Sequence, residues 1–286
     1  MVLDASPPPA LLEVPARIDE VLREALAARR AELAAIDPAA TEPIDEVIRL
    51  IEAGGKRIRP CCCYWGFRAA GGADGPAILH AASALELLHT MALIHDDVMD
   101  GATERRGVPP VHVRQAERAA ARNAADPAGA GVALAIVAGD LAAVLADGLF
   151  LGSGFAPERL TAALARYHRM RLEMAAGQVL DLAGASGDPL RLAQLKGGAY
   201  TVGWPIAIGV ALADGDGGVE EALERFATPL GQAFQLADDL RDGDAAPGID
   251  PGDVAALVTR ARAELREAPI DPTAASALDA LAAAIA

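Results

Sequence analysis

The chain has 286 residues, of which 52% are apolar and only 3% aromatic, and it carries a formal net charge of −15. That length holds a sizeable buried core, and so acidic a balance argues against a nucleic-acid partner, because phosphate-backbone binding needs basic stripes. Small phosphorylated ligands stay open, provided that metal ions and a local basic cluster reverse the sign of the field.

Ala, Leu and Val dominate, Glu and Arg are interspersed, and no run sustains period-two alternation, so the expected fold class is all-α. Residues 1–14, with Pro7, Pro8 and Pro9 and no basic-then-apolar leader, read as a flexible N-terminal arm rather than a secretory signal. Residues 15–286 read as one helical domain. Helical periodicity is clear over Pro15–Ile36. Glycine and proline punctuation follows at Gly54-Gly55, Gly71-Gly72, Val108–Pro110, Asp126–Gly131, Gly152–Gly154, Gly184–Pro189, Asp214–Gly218 and Ala245–Gly252. The last stretch, Ala268–Ala286, reads as a terminal surface helix. Cys61, Cys62 and Cys63 are adjacent and lack a spaced Cys or His set. They read as small residues of a buried helix in a protein of the reducing cytoplasm. The longest apolar stretch, Val132–Ala146, contains Gly139 and Asp140 and is too short and too polar to span a bilayer, so no transmembrane segment is expected.

Two acidic clusters share one spacing. Asp96, Asp97 and Asp100 follow the apolar run Leu85–Ile94, and Asp238, Asp239 and Asp242 follow Leu230–Ala237. On a helix, positions i and i+4 share a face. Carboxylates so crowded repel one another unless a cation sits among them. Hard oxygen ligands of this kind suit Mg²⁺, which takes one or two carboxylates and completes its shell with water and substrate phosphate. One such triplet alone would read as a solvated acidic face; two, each behind an apolar stretch, point to metal-bound diphosphate.

Basic partners accompany them. Gly54-Gly55-Lys56-Arg57-Ile58-Arg59-Pro60 places three cations behind two glycines, a pattern suited to cradling a diphosphate. Arg105 and Arg106 follow where the helix bearing the first cluster should end, and arginine forks grip phosphate oxygens. His89 lies two turns before Asp96 on the same face, either as a core histidine or as a ligand. His95 is either a hydrogen-bonding support for the cluster or a structural contact.

Together these residues resemble the trans-prenyltransferase (polyprenyl synthetase) family, from about Glu46 to Asp242. The motifs are GGKRIRP (54–60), ELLHTMALIHDDVMD (86–100), RRG (105–107), AGD (138–140), GQVLDL (177–182), KGGAYTVGWP (196–205) and GQAFQLADDLRD (231–242). The resemblance implies an isoprenoid-synthase fold, usually a homodimer, joining isopentenyl diphosphate to an allylic diphosphate with about three Mg²⁺ ions per site. It assigns Lys56, Arg59, His89 and Arg106 to isopentenyl diphosphate. Arg105, Lys196 and Gln235 fall to the allylic diphosphate, and Asp96, Asp100 and Asp238 to the metal. Asp97, Asp239 and Asp242 support the metal ligands, and Gln178 and Asp181 line or brace the cavity. Two departures stand out. Gly197 replaces the family's usual hydroxyl residue after the lysine, and the stretch Gly243–Asp253 is short and lysine-free where a lysine-bearing loop normally follows.

In the inferred reaction, charge is drawn onto the leaving diphosphate, and the double bond of isopentenyl diphosphate attacks the allylic cation in a dry cavity. The growing tail should run from Asp96 toward the helix N-terminus, past Met91 and Ala92, one turn or about 5.4 Å deeper. Neither is aromatic, so the expected product is C20, with C15 next, unless another helix forms the floor. A class I terpene cyclase and a non-catalytic regulatory subunit are the alternative readings.

Overall fold

Aspartate–proline pairs begin many of the helices. The aspartate carboxylate accepts a free N–H of the first turn, while proline supplies the helical φ and lacks the N–H that would be left over. Asp126 accepts from Gly129 N at 3.0 Å and Asp271 from Ala274 N at 3.0 Å. Asp250 accepts from Gly252 N at 2.6 Å and forms a reciprocal capping box with Asp253. The computed structural model describes residues 9–105, 107–183, 194–243, 245 and 248–285, with the side chains of 9–12, Gln194, Lys196 and Asp242 outside that description.

The helices are α1 (Pro9–Ile36), α2 (Glu42–Glu52), α3 (Ile58–Ala69), α4 (Pro76–Met99), α5 (Val111–Ala121), α6 (Pro127–Leu151) and α7 (Pro157–Leu182). A π-helix (Gln194–Gly203) follows, then α8 (Trp204–Ala213), α9 (Gly217–Asp242), α10 (Pro251–Glu267) and α11 (Pro272–Ala283). Among the described residues no strand forms, and Arg105 and Val108 make an isolated bridge. The all-α expectation is met. Residues 1–8 of the expected arm and the break at Gly184–Pro189 lie outside the described residues, whereas residues 9–14 open α1.

The chain divides into two compact units. One comprises Arg17–Arg57 and Ser83–Ser153; the other comprises Met1–Ala16, Ile58–Ala82 and Gly154–Ala286. In the first, α6 packs on α5 and α2. The α5–α6 approach is close because Gly131 has no side chain: a Cβ there would lie 2.2 Å from the His112 carbonyl oxygen. The carboxylate of Glu46, 1% exposed, binds Arg49, Arg114 and Arg118 and accepts from Gln115 at 2.6 Å, which ties α2 to α5. A buried carboxylate so compensated is tolerated; removing its partners would leave a buried charge costing several kcal/mol, on the order of 3–5.

In the second unit, α3 packs on α8 and α11, and α9 packs on α10 and on the π-helix. The three cysteines are buried in α3 and form no disulfide, as their adjacency suggested, and burial pushes the thiols of Cys62 and Cys63 well above the usual range. Their small size has a packing reason. A Cβ on Gly209 would lie 2.1 Å from the Cys63 carbonyl oxygen, and one on Gly66 2.6 Å from that of Ile206, so α3 and α8 meet backbone to backbone. The last helix is not the surface element expected: Ala274, Ala277, Leu278, Leu281 and Ala282 of α11 are buried. Its apolar face at 3–4 spacing completes the core instead.

Two helices are longer and more apolar than the sequence reading allowed. By length and composition alone, α4 and α6 could each cross a membrane. The apolar window of α4 is 67% buried within the protein, as a core helix is, whereas that of α6 is 28% buried.

Candidate active site

Both aspartate clusters sit at helix C-termini. There the unpaired carbonyls concentrate partial negative charge, so carboxylates are disfavoured unless cations join them. In the unit that holds the first cluster, α4 buries Leu85, Leu87, Leu88 and Ile94 and then presents Asp96, half-buried, and Asp97, 1% exposed. The helix closes just after Met99. Asp100 N donates to Asp96 O at 2.8 Å, and Ala102 N reaches back to Asp97 O at 3.0 Å around Gly101, whose φ of +60° suits such a cap. Asp96 and the exposed Asp100 are therefore one turn apart on one face, as their spacing predicts.

The Arg-Arg-Gly segment returns to this helix end. Arg105 and Val108 exchange backbone hydrogen bonds at 2.8 and 3.1 Å across a tight turn that Gly107 permits with φ +79°. The turn aims Arg105 at Asp97: Nε and Nη2 both donate to Oδ1, at 2.8 and 2.6 Å. Asp97 Oδ2 is buried without a hydrogen-bond partner. Arg106 lies outside the described residues. His89, Met91 and Ala92, all half-buried, lie along α4 before the cluster. His95 leaves the cluster for α6. Its Nε2 is 3.3 Å from the Ile136 carbonyl, and a Cβ on Gly139 would lie 2.1 Å from that nitrogen, which explains the glycine of Ala138-Gly139-Asp140.

Of the three cations in Gly54–Pro60, one belongs to the scaffold. Arg57, 4% exposed and at φ +51°, donates from Nε to Asp19 at 2.7 Å, from Nη1 to Glu86 at 2.8 Å and from Nη2 to the Ile51 carbonyl at 2.8 Å. It anchors the loop and leaves Lys56 exposed beside it. Glu86 was the missed signal: a carboxylate inside an apolar helix needs a buried cation.

The other unit holds Arg59, the π-helix and the second cluster. Arg59 Nη2 donates to Thr201 Oγ1 at 2.8 Å, its guanidinium stands 4.5 Å over the Tyr200 ring, and its Nε is buried without a hydrogen-bond partner. Gln178 is half-buried and Asp181 exposed near the end of α7. At the end of α9, Asp238 pairs with the exposed Arg241, and Asp239 Oδ1 accepts from Gln235 Nε2 at 2.7 Å. The side chains of Lys196 and Asp242 lie outside the described residues. This unit also contains a cavity of about 320 Å³ lined by Trp204, Ile206, Val210, Leu223 and Ala227, with Trp204 Nε1 held on Glu173 at 2.7 Å. Leu223 and Ala227 precede Asp238 by 15 and 11 positions, so along α9 this lining lies about three to four turns from the second cluster.

Among the described residues no three potential ligands close on one point to form a complete metal site. Magnesium shared with a diphosphate does not need one, because water and phosphate fill most of its octahedron. The donor set fits such an ion: accessible carboxylates one turn apart at a negative helix end, with the Asp97 Oδ2 orphan at their base.

The polyprenyl synthetase family pattern matches residues 41–248. A geranylgeranyl pyrophosphate synthase of Geoglobus acetivorans is 32% identical over 198 residues, covering 67% of this chain and 57% of that protein. A geranylgeranyl diphosphate synthase of Mycobacterium tuberculosis is 34% identical over 220 residues, 74% of this chain and 57% of the relative. The chain thus matches a little over half the length of these relatives. Among solved structures, a geranylgeranyl pyrophosphate synthase from Corynebacterium glutamicum, complexed with isoprenyl diphosphate and magnesium, superposes with a TM-score of 0.85. It is 27% identical, with 96% of this chain and 98% of that one covered.

Proposed function

The chain belongs to the polyprenyl synthetase family, and from that premise we propose that it is a prenyl diphosphate synthase, a transferase joining isopentenyl diphosphate to an allylic diphosphate. The observation that carries this reading is the pair of equally spaced aspartate clusters at helix C-termini together with the basic Gly54–Pro60 motif of the sequence. A cyclase would need the clusters but not a second diphosphate site.

Asp96, Asp100 and Asp238 would hold Mg²⁺, supported by Asp97, Asp239 and Asp242, with three ions per site as the family suggests. When bound, Mg²⁺ draws charge onto the departing diphosphate. The chain's own residues do the rest. Lys56, Arg59, His89 and Arg106 hold isopentenyl diphosphate in register with the allylic carbon, which removes the entropic cost of bringing two substrates together. Thr201 and Tyr200 orient the Arg59 fork for that grip. Lys196, Arg105 and Gln235 would bind the leaving group, as the family resemblance assigns them, and Arg105 also keeps Asp97 neutralised. The half-buried Met91 and Ala92 leave room for a long tail, which favours C20 over C15.

Exposed apolar residues on α6, including Val137, Val144 and Leu151, recur every seven residues, two turns apart on one face. Such a patch is unusual on a monomer and supports a homodimer. Buried cysteines that form no disulfide support a cytoplasmic setting.

Product chain-length analysis with Mg²⁺, isopentenyl diphosphate and each of three allylic starters tests the reading. The expected result is diphosphate release and a C20 prenyl diphosphate. Cyclic hydrocarbon from farnesyl diphosphate alone would establish the cyclase instead. No turnover with any starter, but an altered product from a partner synthase, would establish a regulatory subunit; the lysine-free loop after Asp242 favours this second reading.

A further inference from the structure

Gly197 departs from its motif, and its surroundings give the departure a purpose. The π-helix and α9 touch through glycines: a Cβ on Gly198 would lie 2.6 Å from the Gly231 carbonyl carbon, and one on Gly231 would lie 2.6 Å from the Gly198 carbonyl oxygen. One turn along α9 from Gly231, the Gln235 side chain lies across Gly197. A Cβ on Gly197 would fall 1.4 Å from Gln235 Oε1 and 2.6 Å from Cδ, so the carboxamide occupies the volume that any other residue would claim. The same carboxamide donates from Nε2 to Asp239 Oδ1 at 2.7 Å. Because a carboxylate accepts only, that bond fixes which end is nitrogen and turns Oε1 toward Gly197.

We infer that Gly197 is a seat for Gln235, and that Gln235, seated there, is the positioning residue for Asp239 in the second aspartate cluster. The role of Asp239 in metal-diphosphate binding rests on the proposed function; the seat itself does not. A side chain at 197 is relieved most cheaply by swinging the flexible Gln235 away, since the backbones beside it are already in contact. That movement removes the donor from Asp239. Restoring the hydroxyl residue usual in the family would therefore damage this protein rather than repair it.

The test is a double-mutant cycle of Gly197→Ala and Gln235→Ala in the full chain, with Gly197→Thr alongside. Two readouts are followed: thermal melting without Mg²⁺ and the Mg²⁺ concentration for half-maximal turnover. Each single variant should raise Mg²⁺ half-saturation about tenfold, the scale of one lost charge-assisted hydrogen bond, with KM for isopentenyl diphosphate unchanged. Gly197→Ala should lower the melting temperature in the wild-type background but not in the Gln235→Ala background, where the seat is vacant. Gly197→Thr should be no more active than Gly197→Ala. Additive melting shifts, or a Gly197→Thr variant more active than wild type, would overturn the seat. Non-additive melting shifts across the cycle, with a wild-type protein that never consumes isopentenyl diphosphate, would keep the seat and sink the synthase reading instead.

Discussion

At the end of α4, Asp97 is buried and two nitrogens of Arg105 close on one of its oxygens; at the end of α9, Asp239 is held by a neutral carboxamide and Asp238 by an exposed arginine. The spacing is the same and the electrostatic background is not. A half-buried cation against a buried carboxylate is weakly screened, whereas an exposed pair in water contributes about 0–1 kcal/mol. The first cluster is thus partly neutralised by the protein itself. In the second, the contacts described are an exposed ion pair and a hydrogen bond that adds no charge.

The largest effects should come from the carboxylates proposed to hold Mg²⁺. Asp96→Asn and Asp238→Asn should each lower kcat/KM by about 10²–10³, the range for removing one group that stabilises developing charge. A loss below tenfold at either would break the pairing of the two clusters. Stability should then separate them. Arg105→Gln leaves Asp97 buried with its charge uncompensated and should cost about 3 kcal/mol in urea unfolding, whereas Arg241→Gln should cost under about 1 kcal/mol. Equal costs would mean that both pairs are solvated. A smaller effect, on product rather than rate, belongs to the first cluster alone: Ala92→Phe should shorten the main product by about one isoprene unit, since a helix turn rises about 5.4 Å. An unchanged chain length would move the floor of the tail site off α4. The smallest signal is a control. With their pKa values raised by burial, Cys62 and Cys63 should stay unlabelled by thiol reagents at pH 9 in every folded variant. Labelling at the wild-type protein's unfolding rate or faster would show that a variant had opened α3.

Much of the helical order was legible because its causes are local. Apolar spacing and the glycine and proline breaks act within a few residues, and α4, α6, α7 and α9 lie where those marks place them. The spacing of Asp96 and Asp100 needed no tertiary information either. What stayed hidden was each side chain's partner. Arg57, Lys56 and Arg59 are near neighbours in sequence, yet Arg57 turns inward to Asp19 and Glu86, Lys56 stays in water, and Arg59 goes to Thr201 and Tyr200. The C-terminal helix likewise reads as a polar-edged surface element until its alanine face meets the core.

The sequence by itself determined an all-helical chain, the two carboxylate clusters and the cations accompanying them, because helix periodicity and one-turn spacing are properties of short segments. Only the tertiary structure decided which charges are free to meet a ligand. That choice depends on burial and on partners from distant parts of the chain, such as Asp19 against Arg57 and Gln235 lying across Gly197.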